Sequence, residues 1–281
     1  MAERAETSVD FSRMATFASL SVLALVVVSA WQIHQIFLRG NSVSAKNAEN
    51  SSLGERASTP YGNVDWQAPI PNASDELSPS SSANASEDKD GISNIEGNVA
   101  RVLLGSYTAL NEAGIYTRED GEKIAKDIAI SLRANISYKI YGVDDIKIDS
   151  DTSYDRMLAY RSDLRKALEP LLGNPGYELK LFANYIGSNN PIYTEKLAVT
   201  SKNYQKAVAQ AANITVPEDA AQEHLGILNA LSEFGTIVEK MATHADDAFA
   251  AAALLQTYNT GEINLLTSFN SLATYYRSKK I

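Results

Sequence analysis

The sequence predicts an all-α protein: a single N-terminal transmembrane helix, a disordered linker and a C-terminal bundle of six or seven helices. Three observations predict it. Residues 14–38 contain no Asp, Glu, Lys or Arg, and the tract that follows, to residue 92, is rich in Ser, Asn and Pro. From residue 95 onward, apolar residues recur at spacings of three and four, the pattern of helices that each bury one face.

The charge-free run is 25 residues long, between Arg13 and Arg39. A helix rises about 1.5 Å per residue, so roughly 20 apolar residues cross the hydrocarbon layer of a bilayer. The run is too uniform for one stripe of a soluble helix, and Trp31 suits a membrane interface. Val28-Ser29-Ala30 also fits a signal-peptidase site. Against cleavage, Glu3, Glu6 and Asp10 oppose Arg4 and Arg13, and apolar residues continue through Ile33, Ile36, Phe37 and Leu38. An uncleaved signal anchor is therefore expected. Arg4 and Arg13 on one side balance Arg39 and Lys46 on the other, so direction rests on the tract beyond. An acidic, Ser- and Asn-rich chain is readily translocated, and a short N-terminal tail stays cytoplasmic.

The expected layout is a cytoplasmic tail at 1–13, a signal anchor in the lipid bilayer at 14–38, a disordered linker at 39–92 and an extracytoplasmic α-helical domain at 93–281. The protein is then a single-pass component of the cell membrane. The linker has Pro60, Pro69, Pro71 and Pro79, and too few apolar residues to offset the entropy of ordering. As a flexible coil its r.m.s. reach is roughly 40 Å. Within it, Tyr61 and Trp66 bracket a six-residue segment. An aromatic pair in a polar tract reads either as a docking peptide or as a chance cluster, and the composition favours chance.

In the C-terminal region, Ile95, Val99, Val102, Leu103, Ser106 and Leu110 share a helical face that ends before Gly114. Thr117 and Asp120 have capping-box spacing, and Ile124, Ile128 and Leu132 follow. A third helix uses Met157, Tyr160, Leu164, Leu168 and Leu171, with Pro170 distorting its end. Leu181, Phe182, Tyr185 and Ile186 predict a short helix before Gly187, and Leu197, Tyr204, Val208 and Ala211 another. Pro217 begins the next, through Leu225, Leu228, Leu231, Val238 and Met241. The last spans 246–277, where Glu262 is the one charged residue between Asp247 and Arg277, which predicts a central core helix wrapped by the others. Ile146-Lys147-Ile148 is the one short extended piece expected.

Composition excludes more than it assigns. The chain has no cysteine, which removes disulfides, thiolate metal sites and thiol nucleophiles. A net charge of −9 opposes binding to nucleic acid. From 207 to 276 eight acidic residues face a single base, Lys240, as expected of a solvated acidic face. His34 is read as interfacial, and His224 and His244 as polar-face or capping residues, because the spacings of zinc and di-iron motifs are missing. Asp149, Asp151, Ser153 and Asp155 imitate half a calcium loop, but Tyr154 and Tyr160 occupy the glycine and glutamate positions. Helix capping accounts for them better. Glu218-Asp219 and Asp246-Asp247 fall at predicted helix starts, where negative charge is favoured.

Eight tyrosines fall between Tyr138 and Tyr204. Most are expected to pack and two or three to shape a surface groove. No catalytic residue, cofactor site or metal site is assigned. The expectation is a non-enzymatic structural or interaction component of a cell-envelope or secretion-type assembly, with protein partners. A head that binds a small molecule or glycan is the alternative. An envelope hydrolase ranks third, and two convergent carboxylates would be its sign.

Overall fold

The computed structural model describes residues 61–69 and 89–279. The expected tail at 1–13, the anchor at 14–38 and the linker at 39–60 and 70–88 lie outside the described residues, as do Trp31 and His34. Among the described residues, no helix is long and apolar enough to cross a membrane. They are mostly helical, with seven α-helices: α1 (Ile95–Glu112), α2 (Arg118–Ser131), α3 (Tyr154–Ala167), α4 (Glu178–Ser188), α5 (Ile192–Ala211), α6 (Ala221–Thr243) and α7 (Ala248–Ser278).

Local chemistry sets the helix ends. Gly114 takes a φ of 68° just past α1, a left-handed conformation that glycine adopts without steric cost. The Thr117 hydroxyl accepts the Asp120 N–H at 3.1 Å, and Asp120 accepts the Thr117 N–H at 3.0 Å, completing the capping box of α2. Ser153 accepts the Arg156 N–H to cap α3. Asp149 accepts the Asp151 N–H and pairs with the Arg156 guanidinium at 2.8 Å. The acidic run before α3 is thus occupied by capping and one ion pair. Pro170 sits in a 3-10 turn, Glu169–Gly173, that follows α3. Asp247 caps α7, accepting the Phe249 and Ala250 N–H groups at 2.9 Å.

The expected extended piece has a partner that sequence reading did not supply. Strand β1 (Lys147–Asp149) pairs in parallel with β2 (Thr215–Pro217), in the register Ile148 to Val216. Pro217 falls at the end of β2, and a 3-10 turn, Glu218–Ala220, leads from it into α6. The pairing ties the loop before α3 to the loop before α6.

The central helix is α6, not α7. It lies between α5 and α7 and buries Leu228, Leu231, Phe234, Ile237, Val238 and Met241, among others. α7 buries its first half, from Ala250 to Gly261, and then exposes Ile263 and Leu266 before Leu272 and Tyr275 return to the core. Its scarcity of charge reflects the alanine-rich buried half followed by an uncharged, hydroxyl- and amide-rich half. Close approach across α6 requires two glycines. A Cβ on Gly235 would lie 2.8 Å from the Tyr204 Cβ, and one on Gly261 would lie 2.5 Å from the Ile237 Cδ1.

The first clash is the stricter, since a Cβ cannot rotate away. Gly235→Ala is therefore expected to destabilise the head by about 1–3 kcal/mol through overpacking, despite the roughly 1 kcal/mol by which alanine favours a helix over glycine. Urea denaturation should show a lower midpoint with an unchanged slope.

Candidate functional site

Residues 61–69 form a strap bound to the head. Trp66 is 4% exposed and joins the core, with Tyr61 and Val64 packed beside it. The expectation that Tyr61 and Trp66 cluster by chance is corrected: they anchor a docked segment within the tract expected to be disordered. Apolar area alone did not predict this because amide side chains supply the remaining contacts. Asn98 Nδ2 donates to the Trp66 and Ala68 carbonyls, each at 2.9 Å. Gln67 Nε2 donates to the Asn135 carbonyl at 2.8 Å, and Gln67 Oε1 accepts the Asn135 N–H at 2.6 Å. Tyr61 and Ser106 share a hydrogen bond between hydroxyls at 3.0 Å. Asn98 is fully buried within an apolar stripe. A buried polar residue demands partners, and that was the available signal in the sequence.

The backbone beside the strap is equally specific. Gly91 has a φ of 67°, and a Cβ there would meet the Gln67 carbonyl oxygen at 2.5 Å. Next to it, Asp90 accepts Lys240 Nζ at 3.1 Å and the Ser137 N–H at 3.3 Å. Burial pushes the Asp90 carboxyl up, but the Ser137 and Lys240 contacts outweigh it and hold the group below its ordinary value. The sole base of the acidic C-terminal block, expected on a solvated face, is thus committed to an ion pair.

The α1–α2 hairpin presents the opposite character. Beyond Val99 nearly every α1 residue is exposed or half-buried, and α2 buries only Ile128. Its outer end exposes Leu104 (65%), Tyr107 (47%), Ile115 (61%) and Tyr116 (41%). The Tyr107 and Tyr116 rings meet edge to face, with centroids 4.9 Å apart. A Cβ on Gly121 would lie 2.6 Å from the Tyr116 hydroxyl oxygen, so the missing side chain seats that ring on α2. The result is a preorganised aromatic and aliphatic tip.

Two polar clusters lie within the bundle. In the first, Tyr204 donates to Glu178 at 3.1 Å, while Tyr177 and Tyr258 donate to Glu262 at 3.1 and 3.4 Å. Burial pushes the Glu178 carboxyl up, and the Glu262 charge adds to it. Phe234 stacks between Tyr204 and Tyr258, with centroids at 5.3 and 5.0 Å. The two carboxylates converge on phenols that link α4, α5 and α7. Such an arrangement joins helices through charge-assisted hydrogen bonds.

In the second cluster, the Tyr160 hydroxyl and His224 Nδ1 are 3.1 Å apart, and both residues are fully buried. This corrects the expectation that His224 lies on a polar face: a neutral imidazole bonded to a phenol is tolerated in the core. The Ala211 carbonyl faces the ring, yet Nε2 has no partner in hydrogen-bond geometry. Burial pushes the imidazole down to about 4. His244 caps the end of α6 instead. Tyr275 donates to Asp219 at 3.0 Å, and Lys279 pairs with the same carboxylate, which anchors the end of α7.

The tyrosines between 138 and 204 do not line one groove. Tyr160, Tyr185 and Tyr204 are buried, Tyr177 is exposed and the other four are half-buried. An open trough of about 530 Å³ lies elsewhere, where Thr267, Asn270, Ser271 and Thr274 of α7 face Glu223 of α6. Among the described residues, no group of three or more His, Asp or Glu side chains is placed to hold a metal ion. Compared with protein-family models, with curated proteins and with solved structures, the chain matches none.

Proposed function

We propose that this chain is a membrane-tethered, extracytoplasmic helical head, a non-enzymatic structural or interaction component of a cell-envelope or secretion-type assembly. The observation that supports it best is the hairpin tip, where Leu104, Tyr107, Ile115 and Tyr116 are exposed together. Aromatic anchors on a rigid support are what hot spots of protein interfaces are made of. The sequence supports the tether through the charge-free run at 14–38. The test uses the full chain in native membranes with a photo-crosslinker at Ile115. A discrete adduct is expected, lost at least about 30-fold in Tyr116→Ser, as removal of a hot-spot contact implies. A head that stays monomeric and uncrosslinked overturns the reading.

A second reading draws on the trough. Its hydroxyl and amide lining with one carboxylate suits a polyhydroxylated ligand such as a glycan. Thermal-shift screening of the full chain against wall fragments distinguishes the two readings: a rise in midpoint that Asn270→Ala abolishes favours the ligand.

A further inference from the structure

We propose that the strap at residues 61–69 is a releasable latch that sets the length of the tether, an inference that rests on the tethered reading above. The strap shares no helix or strand with the head. Its internal bonds are local turns, from the Val64 N–H to the Tyr61 carbonyl and from the Ala68 N–H to the Asp65 carbonyl. Its contacts with the head are made by side chains: the buried Trp66 ring, the Asn94, Asn98 and Gln67 amides, and the Tyr61 hydroxyl. The strap can therefore leave without unwinding any helix, the property of a unit that opens below the global unfolding free energy.

The docking is incomplete in one respect. The Trp66 indole nitrogen is buried without a hydrogen-bond partner. A buried donor left unpaired costs free energy that release into water recovers. This penalty is confined to the docked state and lowers the free energy of opening. The strap is also first in line for force, because a pull transmitted along the chain from residue 60 reaches Tyr61 and Trp66 before any helix. Release moves the first described point at which the chain is held to the head from Tyr61 to Asp90, whose carboxylate pairs with Lys240, so the length of chain between the expected anchor and that point grows from 22 to 51 residues. If that segment behaves as a flexible coil, its r.m.s. reach grows roughly one and a half times.

Hydrogen exchange on the full-length chain in vesicles tests the latch. The reporters are the Val64 amide and the Asn135 amide, whose acceptor is Gln67 Oε1. Both are expected to exchange at least about 100-fold faster than buried α6 amides, through an opening insensitive to low urea. Trp66→Ala should abolish protection at 64 and 135 while leaving α6 unchanged. Gln67→Ala, which hollows no core, should do the same to a lesser degree. Exchange of strap and α6 amides at one common rate, or acceleration of both by either substitution, overturns the latch. So does a wild-type strap with no protection at all. Carbonate extraction of the same vesicles separates the two ideas. A chain that washes off overturns the tether and the length-setting role, whatever the exchange shows. A retained chain whose strap and α6 amides exchange at one common rate overturns the latch alone.

Discussion

Replacing Lys240 with methionine is expected to lower the stability of the head by about 3 kcal/mol, the low end of the cost of breaking a buried ion pair. The Asp90 side chain is 5% exposed and that of Lys240 17%, so the charge left on Asp90 has little access to water. The contact with Ser137 is then left to hold it. Because the Asp90 carboxyl is held below its ordinary value in the fold, its contribution is present above the unfolded value and is lost as pH falls through the folded one. The gap between wild type and variant should therefore be full at neutral pH and close in strong acid. Urea denaturation from pH 7 to pH 3 measures it. The double variant Asp90→Asn/Lys240→Met should recover most of the loss, since removing both partners leaves no orphaned charge. A single-variant loss below about 0.5 kcal/mol would mean that the pair behaves as a screened surface bridge.

Lys240 also shows what could be read from the residues alone. The counts found it as the only base in a long acidic block, yet only the fold brings Asp90, 150 positions away, to its side. The helices were legible because their signals are local: the Thr117–Asp120 box, the Ser153 and Asp247 caps, and the apolar spacing of α3 through α6. The central position of α6 was not legible. It depends on Gly235 and Gly261 admitting neighbouring helices, and a glycine within a helical pattern reads more readily as a weakness than as a contact. The segment bracketed by Tyr61 and Trp66 stands out in the sequence but reads as a chance cluster for a related reason. Its affinity for the head comes from one indole and a set of amides whose partners, Asn98 and Asn135, lie in other elements. The tyrosine-rich stretch suggested a groove, but hydroxyl groups there are taken up by Glu178, Glu262 and His224. Periodicity places a tyrosine on a face and leaves open which group meets its hydroxyl.

The second large effect is on acid stability, through His224. Burial pushes its imidazole down to about 4, from an ordinary value of 6.5. The unfolded chain then takes up a proton between pH 6.5 and 4 that the folded core refuses, so this residue withdraws stability as pH falls through that window. At 1.36 kcal/mol per unit of difference, the withdrawal totals about 3 kcal/mol. Glu178, Glu96 and Asp247 act in the opposite sense. Burial raises each carboxyl, so each favours the fold as pH falls through its folded value toward the unfolded one. A pH profile of the wild type alone mixes these contributions, and a matched variant separates them. Asparagine at 224 places an uncharged amide near the position of Nδ1, within reach of the Tyr160 hydroxyl. The stability of His224→Asn relative to wild type, followed by thermal or urea unfolding, is expected to rise by about 3 kcal/mol between pH 7 and pH 4. Parallel profiles would mean that the imidazole accepts its proton in the folded core, which requires water or a carboxylate to reach Nε2. Adding Glu178→Gln should then remove part of the remaining gain in acid, because a neutral amide accepts the Tyr204 hydroxyl at every pH. Reading the two substitutions together separates the parts of the acid response carried by a buried base and a buried acid that titrate in opposite directions.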